Sequence, residues 1–443
     1  MSAPADMFPE IYRYRAQEAG KIRLISGLAA ALALSAATAY SVYRTTGSWE
    51  DYLSAVTFMQ FNMLVFYGAI CTARSVTQEK AERTWDLQRL TPLSSLEIAA
   101  GKLLGAPVFP WFLFACLLPA AALTLALAPG VYHEFFSRYA LGLSIALFAM
   151  ALGLLASAYD DSGGKGAGHL SGPLVGLACA VLLNSAFRYA DSLWLSFSPE
   201  IYFYGLQPGP AGSVLFLTAS FMAFAAWAFL GARYRIGRDL LEKRRAWRLP
   251  AFLFFLAWYI TGFEHRFSYN GAPQFAALLL PGLAAYMAAF LSSERREYWR
   301  RWLAGESRAR RLDDAPAWVK GAAPMLVISA VLYLLYGFAA PGASGRVYPV
   351  AALFLLRDLM FLQWCRFSAS RRPEMMALAC LALAYFLPML ILLPAGMKGP
   401  AAAFIPYTDE RLGLAANLAG PLAQVLLMGY ILRGKIKEVL ADK

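Results

Sequence analysis

Three stretches of this chain carry side chains whose types and spacing could do chemistry. The longest is CTARSVTQEKAERTWDLQRLTPLSSLEIAAGKLLG, which begins at Cys71. Within it, Glu79 stands four residues before Arg83 and Asp86 three before Arg89, the spacings at which opposite charges meet on one helix face. No Gly or Pro interrupts Gln78 to Leu90, so a short helix carrying Glu79, Lys80, Arg83, Thr84, Trp85, Asp86, Leu87 and Leu90 is predicted there, and Thr91-Pro92 ends it. Gly101-Lys102 then leads into an apolar block with the lysine placed to snorkel at its edge. The second stretch is Arg357-Asp358, in the middle of an apolar block. Each charge would cost about 3 kcal/mol at a lipid-exposed helix centre, so both must face protein or a wet cavity. Helical neighbours point about 100° apart, so each is expected to pair with another helix, as an interhelical ion pair ahead of a substrate contact. The third, LSSERREYWRRWLAGESRARRLDDAPAWVKG from Leu291, opens with Glu294, Arg295, Arg296, Glu297 and Trp299 as an early charged helix.

None of these stretches has the make-up of a catalytic centre. No paired-carboxylate or Ser/His/Asp pattern stands out, and His133, His169 and His265 are too scattered to predict a metal site. The nearest approach to a phosphate loop, DSGGKGAG around Gly164, lacks the GxxxxGK[ST] spacing, so the chain is not expected to bind or hydrolyse ATP itself. Cys71, Cys116, Cys179, Cys365 and Cys380 lie in or beside apolar blocks without CxxC spacing, which supports neither a disulfide framework nor zinc.

The elements that must position these groups are membrane helices. With 59% hydrophobic and 15% charged residues over 443 positions, the chain has too much apolar surface for a water-soluble core. Its mean hydropathy of +0.49 is concentrated in blocks long enough to cross roughly 30 Å of hydrocarbon. Twelve such blocks are read: Leu24–Tyr43, Tyr52–Cys71, Leu103–Leu127, Phe135–Ala158, Leu170–Phe187, Gly212–Ala232, Leu249–Phe263, Pro273–Leu291, Ala322–Ala340, Tyr348–Phe367, Met375–Pro394 and Leu412–Leu432. The blocks at Leu170 and Leu249 are near the short limit for crossing. The opening segment is too polar before the first block for a cleaved signal, so that block is expected to remain. The net charge of +12 would suggest nucleic acid in a soluble protein, but here the cations lie between apolar blocks and act as topology signals. Placing both termini in the cytoplasm leaves only Arg44, Arg138, Arg188, Arg266, Arg346, Lys398 and Arg411 of the 40 Lys and Arg outside, with Arg357 in mid-block. A multi-pass protein of a bacterial cytoplasmic membrane is expected, with lipid as its solvent and no nucleic-acid partner.

The blocks divide into two sets of six. Each set has a long basic loop after its second span, from Thr72 to Lys102 and from Ser292 to Gly321, and a basic pre-span stretch, from Pro9 and from Arg233. The last outer loops, FSPEIYFYGL from Phe197 and FIPYTDERLGL from Phe404, both collect Pro and aromatics. The expected fold is therefore all-α, with about twelve transmembrane helices as two parallel six-helix repeats, residues 1–232 and 233–443.

The first basic loop resembles the signature of the type 2 ABC transporter permease family. The matching residues are Glu79, Lys80, Thr84, Asp86, Leu87, Leu90, Thr91, Pro92, Leu93, Ser94, Gly101 and Lys102. The family usually has Gly where this chain has Arg83, and commonly an acidic residue where it has Ala81. The resemblance implies the membrane subunit of an ATP-driven exporter, whose coupling helix seats in a cleft of a separate ATPase present in two copies. ATP and Mg²⁺ would then belong to that partner, and no cofactor to this chain. It also implies a degenerate second coupling element around Glu294, Arg295, Arg296, Glu297 and Trp299. The exported substrate is not legible. The alternatives are an ion-coupled secondary transporter, which shares repeats and midplane charges, and an integral-membrane enzyme acting on lipid-linked glycans.

Overall fold

The structure is a computed structural model that describes residues 11, 13–14, 20–128, 130, 132–160, 168–194, 201–242, 247–263, 272–291, 299, 302, 313, 315–337, 343–367, 373–406, 408 and 413–441. Among these residues there is no strand, and the only bridge joins Phe203 to Leu206. The helices are α1 (Lys21–Thr45), α2 (Trp49–Ala81), α3 (Trp85–Gln88), α4 (Ser95–Gly105), α5 (Val108–Leu127), α6 (Tyr132–Tyr159), α7 (Gly168–Trp194) and α8 (Gly209–Asp239). They continue as α9 (Arg248–Thr261), α10 (Ala272–Leu291), α11 (Ala317–Leu332, prolonged by a π-turn over Tyr333–Gly337), α12 (Ala343–Arg366), α13 (Pro373–Leu392), α14 (Lys398–Ala401) and α15 (Leu414–Ala441). Among the described residues ten of these are long and apolar enough to cross a bilayer, while Arg248–Thr261 and Ala276–Leu291 are shorter apolar helices. The chain is a helical, multi-pass membrane protein. Against the twelve apolar blocks read from the sequence stand these ten long helices and two shorter ones: the block Leu103–Leu127 is broken between α4 and α5 at Ala106-Pro107, the block at Leu249 lies mostly on the short α9, and the end of the block Ala322–Ala340 lies outside the described residues.

The helices cluster into two compact units, one of residues Met1–Ile201 with Gln207–Arg244, the other of Tyr202–Leu206 with Arg245–Lys443. The division falls after α8, which runs unbroken to Asp239 and carries the first residues of the basic stretch from Arg233 as its own last turns.

In the first unit α2 is the axis, packed by α6, α7 and α5, while α8 lies on α6. Its core gathers Leu53, Phe61, Leu64, Val65, Leu141, Ile145, Met150 and Leu183. Gly153 lets α6 touch α2, since a Cβ there would stand 2.5 Å from Thr72 Oγ1 and 2.6 Å from the Ala69 carbonyl oxygen. Polar groups inside this core are paired: Tyr139 donates to Gln60 Oε1 at 2.6 Å, and Gln60 donates to the Phe114 carbonyl at 2.9 Å. In the second unit α12 is central, bounded by α11, α13 and α15, with α9 and α10 completing the apolar core around Leu253, Leu278, Met325 and Leu359.

Candidate functional site

The 33 residues of α2 span roughly 50 Å at a rise of about 1.5 Å each, well over the hydrocarbon thickness, so the helix is longer than a bilayer core requires. The helix predicted over Gln78 to Leu90 is not one element. Gln78 to Ala81 finish α2, and the chain then reverses. The reversal is a Schellman closure: Thr84 N–H donates to the Glu79 carbonyl at 2.9 Å, and Arg83 N–H to the Lys80 carbonyl at 3.3 Å. Closure requires the left-handed backbone at Arg83, whose φ is +60°. That is the position where the resembled family usually has glycine, the residue that adopts this conformation without a side-chain penalty. A single turn, α3, follows, and Ser94 starts α4 through a capping box in which its hydroxyl accepts from Glu97 N–H at 3.3 Å and its backbone N–H donates to the Glu97 carboxylate at 2.7 Å.

The same closure ends α8. Leu241 has φ +60°, and Glu242 N–H donates to the Gly237 carbonyl at 2.9 Å. The turn delivers the Glu242 carboxylate to the start of α4, where it accepts from Ser95 N–H at 2.7 Å and Ser95 Oγ at 2.6 Å. An anion there satisfies helix N-terminal donors and complements the positive end of the dipole. The C-terminus of α6 is capped in the opposite sense: Lys80 Nζ donates to the carbonyls of Ala158 at 3.3 Å and Asp160 at 2.9 Å, and Arg235 Nε to Ala158 at 3.3 Å. The ends of α2, α6 and α8 and the start of α4 thus converge on one platform, sealed by Val76, Trp85, Ile98, Leu154 and Ile236.

At the centre of the platform is Glu79. The expected pair with Arg83 does not form, because Arg83 is carried past the helix end. Glu79 Oε2 instead lies 2.5 Å from Lys102 Nζ, while Oε1 accepts from Arg13 and, at 3.0 Å, from Gln88 Nε2. Lys102 does not snorkel. It is fully buried, with the rings of Trp85 at 5.7 Å and Tyr14 at 5.8 Å. Two cations on one carboxylate leave excess positive charge, and the two aromatic faces stabilise it. The contacts tie Arg13, Tyr14, α2, α3 and α4 together.

The sequence-predicted residues therefore divide by direction. Glu79 and Trp85 are buried, Lys80 is spent on α6, and Thr84 is half-buried with its hydroxyl donating to the Glu79 carbonyl at 3.3 Å. Arg83, Asp86, Leu87, Leu90, Thr91 and Pro92 are exposed, joined by Arg89, whose guanidinium lies 3.4 Å from the Asp86 carboxylate as its spacing predicted. Leu87 is 65% and Leu90 83% exposed, an apolar pair on a charged ridge. The sequence reading missed Arg13, Gln88, Glu97 and Glu242. The Ser-x-x-Glu pattern from Ser94 signals the capping box, whereas nothing local to Glu242, 147 residues from Ser95 in sequence, points to its partner.

Of the third stretch, Glu294, Arg295, Arg296 and Glu297 lie outside the described residues. Trp299 is buried, its ring 5.3 Å from that of Phe367 and 5.4 Å from that of Trp302. DSGGKGAG lies outside the described residues up to Ala167, and among those described no group of three or more His, Cys, Asp or Glu could hold a metal. Arg357 and Asp358 are buried as expected, but they pair with each other as well as with neighbouring helices: Arg357 Nε donates to Asp358 Oδ1 at 2.7 Å, and Tyr286 donates to Oδ2 at 2.5 Å. The long guanidinium stem folds back across the angle that separates adjacent residues.

The chain matches no known family model, no curated protein and no solved structure.

Proposed function

We propose that this chain is the membrane-spanning subunit of an ATP-binding cassette exporter, and that the ridge from Arg83 to Pro92 seats in a cleft of a separate ATPase subunit. The observation that carries the reading is the combination of a permease-like sequence with a division of labour inside it. Glu79, Trp85, Gln88 and Lys102 brace the loop from within, while Leu87 and Leu90 stand exposed on a turn bearing Asp86 and Arg89. A braced turn continuous with two membrane helices can pass a displacement into them, because packed elements move as bodies and do not deform smoothly. Burying each leucine side chain against a partner would contribute about 1.5–3 kcal/mol.

On this reading ATP and Mg²⁺ are held by the partner, in two copies, and this chain supplies the path for the substrate. The ridge lies on the cytoplasmic side of a bacterial inner membrane, with both termini on that side, as the distribution of Lys and Arg implies. The charged loop around Glu294 to Trp299 would meet the second ATPase copy. Affinity purification of the full chain from its native membrane, with partners identified by mass, tests the proposal. An ATPase carrying a phosphate loop is expected in the complex. A chain that purifies alone and moves solutes under an ion gradient would overturn it.

A further inference from the structure

Between α13 and α15 the chain does not remain at the helix ends. Ala401 and Ala402 are 0% and 4% exposed, and a Cβ on Gly420 would stand 2.9 Å from the Ala403 Cα. Gly420 and Gln424 lie six and ten residues beyond Leu414, the first residue of α15, hence roughly 9 and 15 Å along its axis. Half the hydrocarbon of a bilayer is about 15 Å. The segment 397–406, apolar and small in GPAAAF, therefore folds back along α15, and a membrane surface near Leu414 makes it re-entrant.

Main chain at that depth must find its hydrogen bonds within the protein. Part of the requirement is met locally, by Ala403 N–H on the Pro400 carbonyl at 3.2 Å and Phe404 N–H on the Ala401 carbonyl at 2.9 Å. The Ala403 carbonyl is met from outside the segment, by Gln424 Nε2. The other end of the same amide, Oε1, accepts from Arg357 Nη1 at 2.5 Å. Arg357 is in turn fixed by Asp358 and by the rings of Phe354 at 4.7 Å and Tyr385 at 5.0 Å, and Asp358 Oδ2 accepts from both Tyr286 and Tyr385. Only one orientation of the Gln424 amide works. Turned over, it would set NH₂ against a guanidinium and oxygen against a carbonyl.

We infer that the buried Arg357–Asp358 pair is a lock on this re-entrant segment, with Gln424 as its positioning residue. The charges orient one amide, and that amide holds the turn at mid-bilayer depth. The assignment gives the intramembrane charges a task other than substrate contact, and it stands or falls independently of the ATPase reading.

Hydrogen–deuterium exchange of the full chain in lipid nanodiscs tests it. Gln424→Glu keeps a partner for Arg357 but has no donor for the Ala403 carbonyl, whereas Gln424→Leu loses both. Exchange over residues 397–406 is expected to rise roughly tenfold in both variants, with α11 unchanged, as the loss of one buried hydrogen bond implies. Wild-type exchange in Gln424→Glu would mean that the amide serves only Arg357, and the inference would be lost. Exchange rising equally in α11 would also refute it, since Gln424 would then be an ordinary contact of the whole unit.

Discussion

Arg83 and Glu79 show how much of the platform depends on single side chains. The left-handed backbone at Arg83 is strained for any residue with a Cβ, and glycine relieves that strain at some cost in unfolded-chain entropy. Arg83→Gly is therefore expected to raise stability by up to about 1 kcal/mol in thermal unfolding of the detergent-solubilised chain. A loss of similar size would show that the arginine makes a contact worth more than the strain. Glu79 is the carboxylate that lies on fully buried Lys102. Glu79→Gln removes that counter-charge and should cost about 3–5 kcal/mol, and adding Lys102→Met should recover part of the loss. Strict additivity of the two substitutions would contradict the pairing.

At the scale of elements, the platform is built from helix ends, which is also where the sequence was least legible. The apolar blocks could be read because burial in lipid demands runs of fixed length, and ten long apolar helices stand among the described residues. The stop after Ala81 could not, because the residue that turns the chain is an arginine where the usual signal is glycine. The turn at Leu241 hid for the same reason. The fold-back of residues 397–406 onto α15 was not legible, since Pro and aromatics are common in any loop and only the contacts with Gly420 and Gln424 show it.

The start of α4, by contrast, follows from its Ser-x-x-Glu pattern and is testable by pH. Hydrogen bonds from the Ser94 backbone and hydroxyl hold the Glu97 carboxyl below the usual range. A depressed folded-state value means that its contribution is complete above the ordinary carboxylate range and lost as pH falls through the lower, folded value. The melting-temperature difference between wild type and Glu97→Ala should be constant above about pH 5 and shrink below about pH 4. A difference independent of pH would mean that the carboxylate does not act as a cap.

For the whole molecule, composition was sufficient to establish a helical, multi-pass membrane protein, because 59% hydrophobic residues cannot be hidden from water in a chain with so few charges. The residues named in the permease-like loop were legible as a group but not in their roles. Glu79 and Lys80 looked like surface charges and act inside the fold, while the exposed leucines were noticed only as part of a motif. Side-chain direction at a helix end depends on where the chain turns, which the sequence pattern did not reveal.

On the proposed function, force from nucleotide turnover enters through Leu87 and Leu90. The most direct measurement is ATP turnover by the chain purified with its partner and reconstituted in proteoliposomes, comparing wild type with Leu87→Asp/Leu90→Asp, alongside retention of the partner on the column. The account predicts that both partner retention and transport-linked turnover collapse, while the variant inserts and melts as the wild type does. Unchanged retention and turnover would contradict it.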